Sequence, residues 1–138
     1  MRVLVVVFGF AACFMLTACG RIYGPVEQVK ALMEEKAEVI SQIDKKIEES
    51  PNEAGVDAAR KVFEARKDSL RTKRKAIRDS PQGMNSDWQS MLWESDARDL
   101  KSFQSISTRL AVACWQVECA PAKEKFSQLE TDFKDTVK

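Results

Sequence analysis

The sequence predicts an all-α fold: a small helical bundle of three long amphipathic helices and one short C-terminal helix, starting with an antiparallel helical hairpin. Three observations predict it. After residue 25, apolar residues recur at seven-residue intervals through most of the chain, which keeps them on one face of a helix. Proline and glycine collect in the breaks between these stretches or in the N-terminal segment, apart from Gly55, as chain punctuation should. No stretch alternates polar and apolar residues long enough to make a strand.

Taken in order, Met1-Arg2 precedes an apolar run from Val3 to Leu16. A bilayer-spanning helix needs roughly 20 such residues, so the run fits the core of a signal peptide better than an anchor. Leu16-Thr17-Ala18-Cys19 follows it and resembles the lipobox of bacterial lipoprotein precursors. The resemblance covers only this signal. It implies a diacylglycerol on the Cys19 sulfur and cleavage before Cys19. Residues 1–18 would be removed, 19–24 would form a lipidated tether, and 25–138 would form a single helical domain. Cys13 matches less well, because Phe10 stands where a lipobox has leucine. Gly20, where aspartate would favour the inner membrane, points to the outer membrane if the source has two. The tether, if extended, reaches about 20 Å at most, which keeps the domain near the lipid surface. Acyl chains contribute roughly 0.8 kcal/mol per buried methylene, so two or three hold stably where one does not.

The first helix is predicted from Pro25, a good first helical residue, over about 25 residues. Its stripe is Val26, Met33, Ile40 and Ile47, with Val29, Leu32, Val39 and Ile43. Ser50-Pro51-Asn52-Glu53 then breaks the chain. Ser50 can cap the second helix, with Pro51 in its first position and Glu53 closing a capping box. Val56, Phe63, Leu70 and Ile77 form the second stripe. Two such helices joined by so short a break predict an antiparallel hairpin. After Ser80-Pro81-Gln82-Gly83, a third helix is predicted from about Asp87 to Val117, with Trp93, Leu100, Phe103, Ile106, Leu110, Ala113, Cys114 and Val117 as its stripe and Trp88, Met91 and Leu92 thickening its start. Past Pro121, Ala122, Phe126, Leu129, Phe133 and Val137 predict the short fourth helix.

Charge and composition bound the chemistry. Twenty-two Lys and Arg face 21 Asp and Glu, and histidine is absent. Removal of Arg2 with the signal leaves the mature side chains balanced, giving no general reason to expect a nucleic-acid partner. Without histidine, imidazole-based triads and metal sites are excluded. The acids lie in helical stripes with no motif singling out a catalytic pair, so the chain is read as no enzyme, with no cofactor and no metal.

Cys114 and Cys119 remain once Cys13 is cleaved away and Cys19 is lipidated. In an exported domain such a pair reads as a disulfide stapling the turn between the last two helices. Free thiols, a redox pair and a metal site are the other readings, the last short of two ligands for structural zinc. Residues 60–78 carry nine cations against two acids. Within them Arg60, Lys67, Arg71, Arg74 and Arg78, joined by Trp88 and Trp93, make a possible binding face for anionic headgroups, cell-wall carboxylates or an acidic partner. Intramolecular pairing with the acidic first helix is the competing reading. Trp88 and Trp93, five residues apart, cannot both face one small core. The expectation is therefore an envelope lipoprotein, membrane-held through lipid on Cys19. It would act as a helical interaction or structural module that docks to an envelope protein or cell-wall component. The alternative is a small-ligand binder or an inhibitor of a secreted enzyme.

Overall fold

The computed structural model describes residues 13–80, 86–115 and 119–138, with side chains described from residue 26 onward except at 86. Four helices run in order: α1 Cys13–Glu49, α2 Glu53–Arg78, α3 Ser86–Ala113 and α4 Ala120–Val137. The described residues contain no strand, and the fold is an all-α bundle.

α1 begins twelve residues before Pro25, where the sequence placed its start. Pro25 lacks the N–H that would bond back along the helix, but a single missing bond need not end one. The seven-residue stripe begins only at Val26, so periodicity could not mark the turns before it. The predicted tether, 19–24, is helical here, with a rise of about 9 Å rather than its extended reach.

The α1–α2 break is also shifted from expectation. The Ser50 amide donates back to the Lys46 carbonyl at 3.2 Å, so Ser50 closes α1. Asn52 instead caps α2, its side chain accepting from the Gly55 amide at 3.2 Å. Glu53 in the first turn of α2 sits where the helix dipole favours an acid. Gly55 is required by close approach: a Cβ there would fall on the Ser50 carbonyl oxygen and 3.0 Å from the Lys46 carbonyl oxygen.

α3 ends at Ala113, short of the predicted Val117, which lies outside the described residues. The Cys114 amide still donates to the Leu110 carbonyl at 2.9 Å, and the chain then leaves the helix. Cys114 therefore sits just past α3 rather than on its last turn. The stripe of α3 is rotated as well. Leu92 is buried as expected, but Trp93 and Leu100 are exposed, and Ser95 and Asp99 are buried in their place. The buried spacing 92, 95, 99, 103, 106, 110 is a regular helical seam, but two of its positions are polar, and hydrophobicity alone selects the neighbouring row.

α1 packs on α2 and α3, and α4 packs on the same two helices. Asp57 and Arg60 reach Lys125 and Asp132, so α2 and α4 run parallel. Lys36 and Asp44 reach Asp99 and Arg109, so α1 and α3 run parallel. Two antiparallel hairpins thus lie side by side, with α2 and α3 on one diagonal of the bundle. The core centres on Phe103, whose ring lies 6.0 Å from Phe126 and 5.1 Å from Phe133, while Phe133 lies 5.9 Å from Phe63. α4 stops level with Arg74, whose Nε donates to the Lys138 carbonyl at 3.1 Å. Below that level three helices continue, closed by Val29, Leu32, Ile77 and Leu92, with Met33, Trp88 and Met91 packed at the margin. The described core spans Val29 to Val137, so residues 26–138 hold all of it.

Two outcomes follow from this packing. Phe103→Ala should cost about 3–5 kcal/mol in urea unfolding, as a large aromatic deletion in a shared cluster does. Gly55→Ala would gain up to about 1 kcal/mol from helix propensity in an open helix. Here the Ser50 carbonyl forbids the methyl, and a lowered melting temperature is expected.

Candidate interaction surfaces

The adjacent residues Glu35 and Lys36 on α1 face different helices and tie both to α1. Lys36 is 1% exposed. Its Nζ lies 2.6 Å from Asp96 Oδ1, 2.6 Å from Asp99 Oδ2 and 3.1 Å from the Ser95 hydroxyl. Burial raises the Asp99 carboxyl above its ordinary value, and the Lys36 contact opposes that rise. Glu35 turns to α2, accepting from Lys73 Nζ at 2.6 Å and from the Ser69 hydroxyl at 2.9 Å, with Arg66 3.7 Å away. Burial pushes the Glu35 carboxyl up. The Lys73 and Ser69 hydrogen bonds and the Lys73 and Arg66 charges outweigh it, leaving the group below 4.5. Sequence reasoning missed Lys36, Ser95 and Asp99 as buried groups. Their spacing on the seam was the available signal.

The predicted cationic face of α2 is divided among several partners. Arg60 donates to Asp132 of α4 at 2.8 Å, which holds the Asp132 carboxyl below its ordinary value. Lys67 lies 3.5 Å from Glu64 and above the Phe63 ring. Arg74 reaches Asp96 at 3.9 Å and the Lys138 carbonyl. Arg66, with Lys73, supplies the pairing to acidic α1, through Glu35 and Glu38. Arg71 and Lys75 are exposed, with no ion pair among the described residues, and Arg78 lies 3.5 Å from Asp79. Positions 71, 75 and 78 share one helical face.

The two tryptophans of the predicted face separate. Trp88 packs against the core margin, and Trp93 is 75% exposed. Trp93 borders a groove of about 360 Å³ between α3 and α4, with Ala97 and Leu100 on its α3 wall, Phe103 and Phe133 in its floor, and Val137 with Lys134 and Lys138 on the α4 bank. At the opposite end of the bundle, Val112 and Trp115 are exposed, 70% and 88%, beside a second recess lined by Ile47, Pro51 and Val112. Cys114 and Cys119 stand at disulfide distance next to Trp115, their Cα atoms 5.6 Å apart. Cys19 is in α1, in the stretch whose side chains lie outside the described set. Among the described residues no cluster could hold a metal ion, and no helix is long and apolar enough to cross a membrane.

Lys36→Met should lose about 3–5 kcal/mol of unfolding free energy, because it strands the buried Asp99 carboxylate. Recovery is expected when Ser95→Ala and Asp99→Leu are added. Glu35 gives a pH signature. Its folded value is lowered, so its contribution is present above the unfolded value near 4.5 and is lost as pH falls through the folded one. The stability difference between wild type and Glu35→Gln should therefore be full at pH 7 and shrink below pH 4.5 in chemical denaturation. Thiol titration of the denatured, unreduced domain should find neither Cys114 nor Cys119 free, and Cys114→Ser should cost about 2 kcal/mol, as a short loop implies.

Compared with models of known protein families, with curated proteins and with solved structures, the chain matches none.

Proposed function

We propose that this chain is the precursor of a bacterial envelope lipoprotein whose mature part is a helical interaction module, held at a membrane by lipid on Cys19. The observation that carries the reading is the sequence Leu16-Thr17-Ala18-Cys19 directly behind an apolar run headed by Arg2. The architecture is in keeping with it. The described core runs from Val29 to Val137, all of it behind the proposed cleavage site.

For a docking surface, the exposed cations Arg71, Lys75 and Arg78 favour an acidic partner in the envelope. Arg60, Arg66, Lys73 and Arg74 on the same helix are engaged with α1, α3 and α4, whereas among the described residues Arg71 and Lys75 make no ion pair and Arg78 pairs with Asp79 beside it. Exposed ion pairs contribute roughly 0–1 kcal/mol each, so such docking draws on the tether, which raises the local concentration of a membrane-bound partner. Catalysis finds little support in a chain without histidine whose most buried ionisable groups are tied to one another.

Two measurements test the reading. Cys19→Ala should abolish labelling by a radioactive or clickable fatty acid and release the protein from the membrane fraction; unchanged labelling would sink the lipoprotein assignment. Crosslinking on intact cells should yield a stoichiometric protein adduct that the combined change Arg71→Glu, Lys75→Glu, Arg78→Glu reduces.

A further inference from the structure

The charge of α2 is sorted along its length. From Glu53 to Asp68 it carries four acids and four cations, whereas from Ser69 to Arg78 it carries five cations and no acid. Two of the five, Lys73 and Arg74, turn to Glu35 and Asp96. Arg71, Lys75 and Arg78 remain exposed. The register between α1 and α2 locates these three. Ser69 stands opposite Glu35, and Arg66 opposite Glu38. In this antiparallel pair Arg78 is therefore level with Val26, Lys75 with Val29 and Arg71 with Met33. Val26 lies seven residues past Cys19 on the same helix, a rise of about 10 Å, and Met33 about 20 Å past it. The outward cations thus gather at the end of the bundle through which α1 runs back to Cys19. α4 stops level with Arg74 and does not cover the last turn of α2. Glu27, Asp79 and Asp135 at this end each have a cation beside them: Lys30 at 3.7 Å, Arg78 at 3.5 Å and Lys138 at 3.3 Å. Glu34 lines the α1–α2 groove with Lys73.

We infer that Arg71, Lys75 and Arg78 bind the acidic headgroups of the membrane that carries the anchor, an inference that rests on the lipid attachment at Cys19 proposed above. Charge and place together favour this partner. With Cys19 lipidated, the headgroup layer is the anionic surface nearest these side chains, and cations beside a membrane anchor add to its hold on acidic lipid. An acidic protein segment would have to bring its charge to the same height above the same membrane. With α1 upright, Arg78 alone is near the surface, since screening confines the attraction to roughly 8–10 Å. All three engage when the bundle leans onto the outer face of α2. α2 and α3 lie on one diagonal of the bundle, so the lean turns α3, with its exposed Trp93, away from the lipid. The cations then fix which side of the anchored bundle a protein partner meets.

The test uses the unlipidated mature chain, residues 19–138 with Cys19→Ser, and co-sedimentation with vesicles. The vesicles are phosphatidylcholine alone, or phosphatidylcholine and phosphatidylglycerol in equal parts. At about 100 mM salt, where the screening length is roughly 10 Å, the chain should sediment with the acidic vesicles and not with the neutral ones. Raising the salt to about 1 M, where that length is roughly 3 Å, should release it. Arg71→Gln, Lys75→Gln and Arg78→Gln together should lower the partition about 100-fold, roughly fivefold for each cation, with an unchanged circular dichroism spectrum. Lys61→Gln is the control. Lys61 is also exposed, with no ion pair among the described residues, but it lies seventeen residues from Arg78 and should leave the partition unchanged. Equal partition into the two kinds of vesicle, or none into either, would overturn the proposal. So would a loss from Lys61→Gln as large as that from any one of the three, because net charge rather than place would then be at work. If the wild type binds no vesicle while charge reversal still removes the protein adduct on intact cells, the cations belong to an acidic protein instead. Labelling at Cys19 tests the anchor, and partition of a chain without lipid tests the cations, so either reading can fail without the other.

Discussion

The burial of Lys36 between Asp96, Asp99 and Ser95 constrains the rest of this bundle. A buried ammonium is tolerated only where charge and hydrogen bonds meet it, and the geometry that meets it is narrow. That requirement fixes the rotation of α3 about its axis. With Ser95 and Asp99 turned inward, Leu92, Phe103, Ile106 and Leu110 follow on the same seam, and Trp93 and Leu100 are turned out. Glu35, one residue before, does the same for α2 through Ser69, Lys73 and Arg66. Two neighbouring side chains of opposite charge thus set the register of α1 against both of its partners. Apolar seams of similar shape can slide past one another, whereas buried polar contacts penalise the slid arrangements.

The exposed surface is largely what this arrangement leaves over. α4 is short, ending level with Arg74, and its packing against α3 is the sparsest of the four neighbouring pairs. The rotation of α3 places Trp93 and Leu100 along that seam, where α4 does not cover them, and the α3–α4 groove follows. The cationic excess of α2 is thinned by the same economy of partners. Arg60, Arg66, Lys67, Lys73 and Arg74 are engaged within the fold, leaving Lys61, Arg71, Lys75 and Arg78 to face outward. The surface proposed for a partner and the groove between α3 and α4 therefore both originate in how the interior was satisfied.

How much of this was legible beforehand varied by element. The stripes of α2 and α4 read cleanly, because Val56, Phe63, Leu70, Ile77 and Ala122, Phe126, Leu129, Phe133, Val137 are apolar at every seam position named and are buried in the structure. The α3 stripe did not, because polar Ser95 and Asp99 occupy seam positions and apolar Trp93 and Leu100 sit one residue beyond Leu92 and Asp99. Hydrophobic periodicity counts side-chain type and cannot tell a lysine pointing at two carboxylates from one pointing at water. The helix boundaries shifted for local reasons: the Ser50 amide remains bonded to α1, and α3 releases the chain at Cys114. Of the predicted binding face, Arg60, Lys67 and Arg74 are engaged internally, Arg71, Arg78 and Trp93 are exposed, and Trp88 closes the core margin.

The sequence by itself determined the helical class, the number of helices and the hairpin at the start, because those follow from spacing and punctuation along a single chain. It also carries the lipobox-like segment at Cys19 in full, a signal that is a short string of residues. Only the tertiary structure decided which polar groups are buried, which cations of α2 remain free, and that a groove opens between α3 and α4. Each of these depends on pairs far apart in the chain, such as Lys36 with Asp99 or Arg74 with Lys138. Whether a charge is satisfied internally or faces solvent is a property of the partner across the interface, which no local pattern encodes.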